Sequence, residues 1–274
     1  MFFNVWAGIC PEVISYVKNS AKSVDVFCLS EVNNLINLYS NDPFPYLPKK
    51  GKATSPNELN LFSLLRNSLI DTHIGFHSPS VRGVHDLEES ELKVEYGLAT
   101  FIRRDLFPYT YRTGSLHREL GQFNGCTSAS RAIVSMTLPY KGGALLLGHM
   151  HGLWNGEGKG DSPDRFAQSS RALEFLRNHK DYEARGARMP GMFGGDFNLT
   201  SGTHALRMLV KSKVFGPEGG ESLNATFNIK DTRTLYYEKD EREADFVIAS
   251  PWLKANLKVE RNVPSDHAAL IVDL

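Results

Sequence analysis

Bulky, β-prone residues run from the first positions, "FFNVWA", and predict an opening strand with no linker before it. In "PEVISYVKNSAK" the apolar Val13, Ile14 and Val17 share one helical face and Pro11 suits a first turn, so a helix is expected there. "VDVFCLSEV" then returns to a buried strand that ends in a carboxylate. This strand–helix–strand opening predicts an α/β class. Residues 39 to 57 carry four prolines and three lysines and read as a long irregular loop, followed by a helix from about Glu58 to Asp71. "YGLATFIRR" predicts another strand, with Gly97 allowing close backbone approach, whereas residues 104 to 128 follow no clear period.

Two further apolar runs, "RAIVSMTLPY" and "ALLLGHMHG", flank Lys141-Gly142-Gly143, a sequence suited to a hairpin. Ser162 and Pro163 supply a cap and first turn for a helix over "DRFAQSSRALEFLRNHK", with Phe166, Leu173 and Leu176 on its apolar side. "MPGMFGGDFN", "ADFVIAS", "ANLKVERN" and "HAALIVDL" complete the strands. Continuing alternation through "GGDFN" would point Asp196 and Asn198 the same way, with Phe193 and Phe197 flanking them.

Composition narrows the class. With 274 residues, no repeat and no shift in composition, one domain spanning 1–274 is expected. The 31 basic and 31 acidic residues cancel, so no global charge favours a long nucleic-acid track or an anionic membrane. Cys10, Cys28 and Cys126 form neither a disulfide framework nor a paired zinc pattern and read as reduced thiols. No apolar run approaches the roughly 18 residues of a bilayer span, and "MFFNVWAG" lacks a secretory n-region, so no membrane insertion and a cytoplasmic location are expected.

The predicted strands end or begin in polar residues. Asn4 lies in the first, Glu31 ends the second, His149 and His151 end "ALLLGHMHG", Asp196 and Asn198 end "GGDFN", Asp245 starts "DFVIAS", and Asp266 and His267 precede the last. Meeting at one edge, these would form a metal and phosphate site. Phosphoester hydrolysis needs a hard cation on oxygen ligands, a group to orient water, and donors for phosphoryl charge. Glu31 and Asp266 suit magnesium or manganese, Asp196 suits proton transfer from water, and Asn198 and His267 suit donation to phosphate. Asp245 beside His267 would orient the imidazole and favour its charged form. Taken singly, each has a plainer reading as a turn, cap or solvated charge. His73, His77, His85, His117, His179 and His204 are read as having no role in the site, and His149 as a packed histidine.

The ordered set resembles the endonuclease/exonuclease/phosphatase superfamily of deoxyribonuclease-I-like phosphoesterases. The matching pieces are "FNVWAG", "DVFCLSEV", "YGLATFIRR", "GHMHGLW", "GGDFNLT", "ADFVIAS" and "SDHAAL", in family order along essentially the whole chain. The resemblance implies a four-layer α/β sandwich: two mixed β-sheets packed face to face with helices outside. It implies Glu31 as the principal metal ligand with Asn4 beside it, and Asp266 as a further metal-site carboxylate. Asp196 would activate water, Asn198 would contact the scissile phosphate, His267 with Asp245 would stabilise phosphoryl charge, and His151 would contact phosphate or assist the leaving group. The chain departs from the family pattern at Ser30, usually Gln, and at Trp6, where many nucleases carry Asp or Asn near the metal.

In "HGLWNGEGKGDSPDRFAQ", Lys159 and Arg165 are expected to reach into the cleft and bind phosphate from a loop that Gly156, Gly158 and Gly160 let fold close. That loop is no nucleotide P-loop, because Gly160 stands where Ser or Thr should follow the Lys, and the chain has no Gly-x-Ser-x-Gly elbow. The reading is a magnesium- or manganese-dependent phosphoesterase using direct water attack, first on a phosphodiester such as nucleic acid or a nucleotide. A phosphatase, a sphingomyelinase-type lipid-headgroup phosphodiesterase, and a binding module without turnover stay open.

Overall fold

Side chains along a strand face alternate ways, and the buried residues here sort by that parity into three cores. The computed structural model describes residues 1–35, 60–87, 90–116, 121–122, 131–154, 158–184, 189–215 and 231–274. Its strands in chain order are β1 (Phe2–Asn4), β2 (Val26–Leu35), β3 (His73–Leu87), β4 (Ser90–Arg103), β5 (Thr110–Ser115) and β6 (Gly121–Gln122), then β7 (Ala132–Tyr140), β8 (Gly143–His151), β9 (Gly191–Asp196), β10 (Asp245–Ala249), β11 (Asn256–Glu260) and β12 (Ala269–Asp273). The helices are α1 (Glu12–Ser20), α2 (Leu61–Ser68), α3 (Pro163–Ala184) and α4 (His204–Val210).

One sheet runs β11-β12-β1-β2-β4-β3-β6 and the other β10-β9-β8-β7-β5. Both are mixed: β1 with β2, β3 with β6, and β8 with β9 are parallel, and the remaining pairs antiparallel. Phe2, Cys28 and Leu98 meet Leu145, Leu147, Met192 and Val247 between the sheets. Their sequence neighbours turn outward. Phe3, Phe27 and Leu29 pack with Val13 and Val17 of α1 and Leu61 and Leu65 of α2, while Leu146, Phe193 and Phe246 pack with Leu176 of α3 and Leu206 of α4. The layers are therefore helix, sheet, sheet, helix, the expected four-layer α/β sandwich. Among the described residues, no helix is long and apolar enough to cross a membrane.

The hairpin at Lys141 forms with φ of 46° at Lys141 and 78° at Gly142, joining Tyr140 to Gly143 in register. Ser162 Oγ accepts the Arg165 backbone N–H and caps α3, as read from the sequence. Other expectations shift. The helix begun at Glu58 is described only from Leu61 to Ser68. β3, β5 and β6 have no counterpart among the strands read from the sequence: "HIGFHSPSVRG" lacks alternation and contains Pro79, which sits beside a register shift between Pro79 and Val81. The loop over 39–57 and Cys126, Gly156 and His117 lie outside the described residues, as does the side chain of His85. Cys10 and Cys28 are free thiols.

Two irregularities converge on one glycine. β2 shifts register between Ser30 and Val32, leaving Glu31 unpaired, and Gly97 lies opposite both Val32 and Pro79. A Cβ on Gly97 would sit 2.2 Å from the Ser78 carbonyl oxygen and 2.8 Å from Pro79 Cα. Backbone cannot yield as a side-chain tip can. Gly97→Ala is therefore expected to destabilise the protein by about 3 kcal/mol and to disturb the bulge that carries Glu31, whereas Gly160→Ala, which would project into open space, is neutral. Urea denaturation checks both, and equal midpoints would refute the packing account.

Candidate metal and phosphate site

The strand parity that fills the central core also builds the site. Inward positions run from Phe2 to Asn4 in β1, from Leu147 through His149 to His151 in β8, and from Met192 through Gly194 to Asp196 in β9. Each row begins apolar and ends polar at the same end of the sandwich. Register completes the alignment: His151 and Asp245 both pair with Asp196 across the second sheet. The backbone of Arg233 bridges to His267, bringing the segment before β12 alongside.

Asn4 joins the two sheets. Its Nδ2 donates to Glu31 Oε1 at 2.9 Å and to Asp196 Oδ2 at 3.0 Å, and lies 3.3 Å from His267 Nε2. The Trp6 backbone N–H donates to Asn4 Oδ1 at 3.0 Å, which fixes the amide with its donors toward the carboxylates. Two N–H groups face three acceptors, so the groups around the amide compete for its protons. His267 Nδ1 lies 2.8 Å from Asp245 Oδ2, the Asp–His pair expected from sequence. With that proton on Nδ1, Nε2 is left as the acceptor facing Asn4.

Asp196 and Asn198 do converge, but not on one continuing strand. β9 ends at Asp196, and Asn198 adopts φ of 51°. Its backbone N–H donates to Asp196 Oδ1 at 2.9 Å, and its Nδ2 donates to the Gly152 carbonyl at 3.2 Å. A left-handed turn replaces alternation. Glu31 also has a positive φ, 62°, at the β2 bulge, and Trp6 and Ala7 stand at 49° and 53°. These conformations cost about 1–3 kcal/mol each for residues other than glycine, and their clustering marks a site the fold holds under strain.

Burial shapes the charges. It pushes the Glu31 carboxyl up to about 7, aided by Asp266 and Asp196 and opposed by the Asn4 hydrogen bond. It also raises Asp245 to about 7 and lowers His267 to about 4, so burial opposes the charged imidazole that the sequence leads one to expect beside Asp245. His151 falls well below the ordinary imidazole range for the same reason, with Arg131 adding to the effect; its Nε2 lies 3.7 Å from Asp196 Oδ2 and 3.8 Å from Glu31 Oε1.

The donor set fits a divalent cation. Ligand atoms of Glu31, Asp196 and His267 lie within 4.8 Å of one another. Asp266, read from sequence as a metal ligand, stands outside this closest set because Arg233 Nη1 holds its Oδ2 at 3.2 Å. Its Oδ1 is buried without a hydrogen-bond partner, an oxygen free for a cation. A hard ion such as magnesium or manganese suits these carboxylate oxygens.

These groups line a cavity of about 440 Å³, together with Arg131, Lys159, Arg233 and Lys239, and with Trp6, Tyr96, Trp154 and Tyr237 on its walls. Lys159 faces the cavity as expected, although its Nζ donates to the carbonyls of Glu241 at 2.9 Å and Glu243 at 2.5 Å. Arg165 does not. Its guanidinium turns back on its own loop and donates to the carbonyls of Gly158 and Gly160, so it holds the loop that carries Lys159. Arg131 and Arg233 escaped the sequence reading. Arg131 directly precedes a clear apolar run and could have been noticed there, whereas no motif surrounds Arg233.

The other described histidines have structural partners, and His73 and His179 are buried rather than solvated. His73 bonds the Val24 carbonyl, His77 the Val32 carbonyl, His179 Ser135 and Thr110, and His204 Asp161. Buried His149 meets Ser30 Oγ through Nε2 at 3.1 Å, so the serine that departs from the family pattern links the sheets.

Solved structures share this architecture from end to end. An endonuclease/exonuclease/phosphatase from Bacteroides vulgatus matches with a TM-score of 0.60 at 17% identity, over 99% of this chain and 97% of the other. The chain has the endonuclease/exonuclease/phosphatase fold. The same architecture appears in a mannosyl-6-phosphatase from Bacteroides thetaiotaomicron, with a TM-score of 0.60 at 13% identity over 99% of this chain and 97% of that one. It appears again in truncated TDP2 from Caenorhabditis elegans, at 0.53 and 16% over 98% and 93%. No protein-family model and no curated protein matches the sequence.

A test of the electrostatics follows from Glu31. A carboxyl at about 7 in the fold against 4.5 in the unfolded chain stabilises the protonated fold. That contribution is complete below the unfolded value and is lost as pH rises through 7. In EDTA, Glu31→Gln is expected to match wild type near pH 5 and to exceed it by about 2 kcal/mol at pH 8. Denaturant titrations at both values check this, and a difference that does not change with pH would refute it.

Proposed function

We propose that the protein is a divalent-metal-dependent phosphoesterase that hydrolyses P–O bonds by direct attack of water, with a phosphodiester of nucleotide size as its first substrate. The observation that carries the reading is the Asn4-centred cluster of Glu31, Asp196 and His267, with an unpartnered Asp266 oxygen beside it, on the floor of a cavity rich in cations.

Each side chain has a task in that reaction. Glu31 and Asp266 would hold magnesium or manganese, which when bound supplies a Lewis acid for a phosphoryl oxygen. Asp196, its Oδ1 fixed by the Asn198 N–H, takes a proton from the attacking water through Oδ2. Asn198 turns an amide N–H to the phosphate, and Lys159 has one hydrogen beyond its two carbonyl partners for the same purpose. His267, oriented by Asp245, meets phosphoryl charge through Nε2, and an anion there favours the imidazolium that burial alone opposes. His151 stands beside both Glu31 and Asp196, placed to assist the leaving group.

Cavity size favours a compact substrate. About 440 Å³ falls within the range of small-ligand pockets, and the chain has no excess positive charge of the kind that tracks a long duplex. Trp6, Tyr96, Trp154 and Tyr237 suit stacking against a base, which favours a nucleotide or a short single-stranded end. A second reading, phosphomonoester hydrolysis, is favoured by the end-to-end likeness to a mannosyl-6-phosphatase.

Bis-p-nitrophenyl phosphate and p-nitrophenyl phosphate separate the two. Faster metal-dependent release from the diester is expected, abolished by EDTA and lowered at least about 100-fold in kcat by Asp196→Ala. Preference for the monoester would select the phosphatase. Turnover indifferent to EDTA and to Asp196→Ala would contradict both.

A further inference from the structure

Arg233 is 4% exposed, yet its guanidinium faces the cavity. The segment around it is tightly held. The Ala268 N–H donates to the Thr232 carbonyl at 2.9 Å and the Thr234 N–H to the Asp266 carbonyl at 3.1 Å, which locks Arg233 beside Asp266 and His267. Arg242 Nη2 donates to the carbonyls of Arg233 and Thr234, both at 3.1 Å. The guanidinium lies 4.2 Å above the Tyr237 ring, and Nη1 reaches Asp266 Oδ2 at 3.2 Å.

These partners do not exhaust the group. A guanidinium carries five N–H donors, and Nε here is buried without a partner. A buried cation left so incompletely paired is costly unless an anion completes it. Asp266 is divided in a matching way, with Oδ2 on Arg233 and Oδ1 free. A divalent ion on Oδ1 and the guanidinium on Oδ2 use both oxygens of this carboxylate. A further divalent ion there would have to lie against Arg233 and be repelled by it.

We infer that Arg233 is a built-in counterion standing in for a second divalent cation: the site takes one metal ion, and the free donors of Arg233 bind a phosphoryl oxygen of the substrate. This rests on the phosphoesterase reading. The division of labour suits the guanidinium, which is always charged and donates in a fixed plane to oxyanions.

Manganese counting tests it without turnover. Calorimetric titration of the full-length protein with Mn²⁺, checked by the electron paramagnetic resonance of free Mn²⁺, should give one ion per chain in wild type. Arg233→Met should admit a second ion, and Arg233→Lys should remain at one. Should Arg233→Met fail to fold, Arg233→Lys decides through kinetics on bis-p-nitrophenyl phosphate. Loss of the planar donors should raise KM about tenfold with kcat held within about threefold, and an unchanged KM would overturn the inference. Two Mn²⁺ ions in wild type, or one ion at unchanged affinity in a folded Arg233→Met, would overturn the inference while leaving the phosphoesterase reading intact. No Mn²⁺ binding by wild type would overturn both.

Discussion

A single primary amide ties the two sheets together where the chemistry lies. Asn4 reaches Glu31 within its own sheet and Asp196 in the other, and its orientation is fixed by the Trp6 N–H. Carboxylates brought this close repel one another, and burial removes the water that would otherwise screen them. The amide eases this repulsion without contributing charge, yet burial, with Asp266 and Asp196 adding to it, still pushes the Glu31 carboxyl up. A divalent cation would relieve it.

The rest of the architecture serves that junction. Inward positions of β1, β8 and β9 are apolar in mid-sandwich and polar at one end, so the contacts that press the sheets together also bring the reactive groups into apposition. Gly194 lets the Phe2 ring lie against β9; a Cβ there would come within 2.9 Å of it. Backbone strain gathers at the same end, in Trp6, Ala7, Glu31 and Asn198, and the packed layers behind sustain it. The cations come from elsewhere. Arg131 precedes β7, while Lys159 and Arg233 sit in loops that meet at Tyr237, whose ring lies 5.5 Å from Lys159 Nζ and 4.2 Å from the Arg233 guanidinium.

How much of this is legible in the sequence depends on the range of the interaction. The Lys141–Gly142 hairpin, the Ser162 cap and the polar ends of β1, β8, β9 and β10 are local patterns and can be read directly, whereas Glu31, read as the end of β2, lies at a bulge within a strand that runs on to Leu35. The Asp245–His267 pair is also legible, through the order of motifs. β3 is not, because Pro79, Gly75 and Gly83 mask its alternation and its place is set by pairing with β4. The convergence of Asp196 and Asn198 can be anticipated, but the left-handed turn that achieves it cannot be told from a strand by spacing. Arg165 and Arg233 show the limit most plainly. A basic residue near a glycine-rich loop suggests phosphate, yet Arg165 braces that loop, and Arg233, which no motif marks, is the one whose guanidinium meets Asp266 in the cavity.

The most direct test of the account is the Mn²⁺ affinity of Asn4→Ala, measured together with its unfolding free energy. If the amide holds Glu31 and Asp196 in place for the metal, affinity should fall about 10- to 100-fold, as for other groups that orient ligands, while stability falls by only about 1–2 kcal/mol. Wild-type affinity in a folded Asn4→Ala protein would contradict the account.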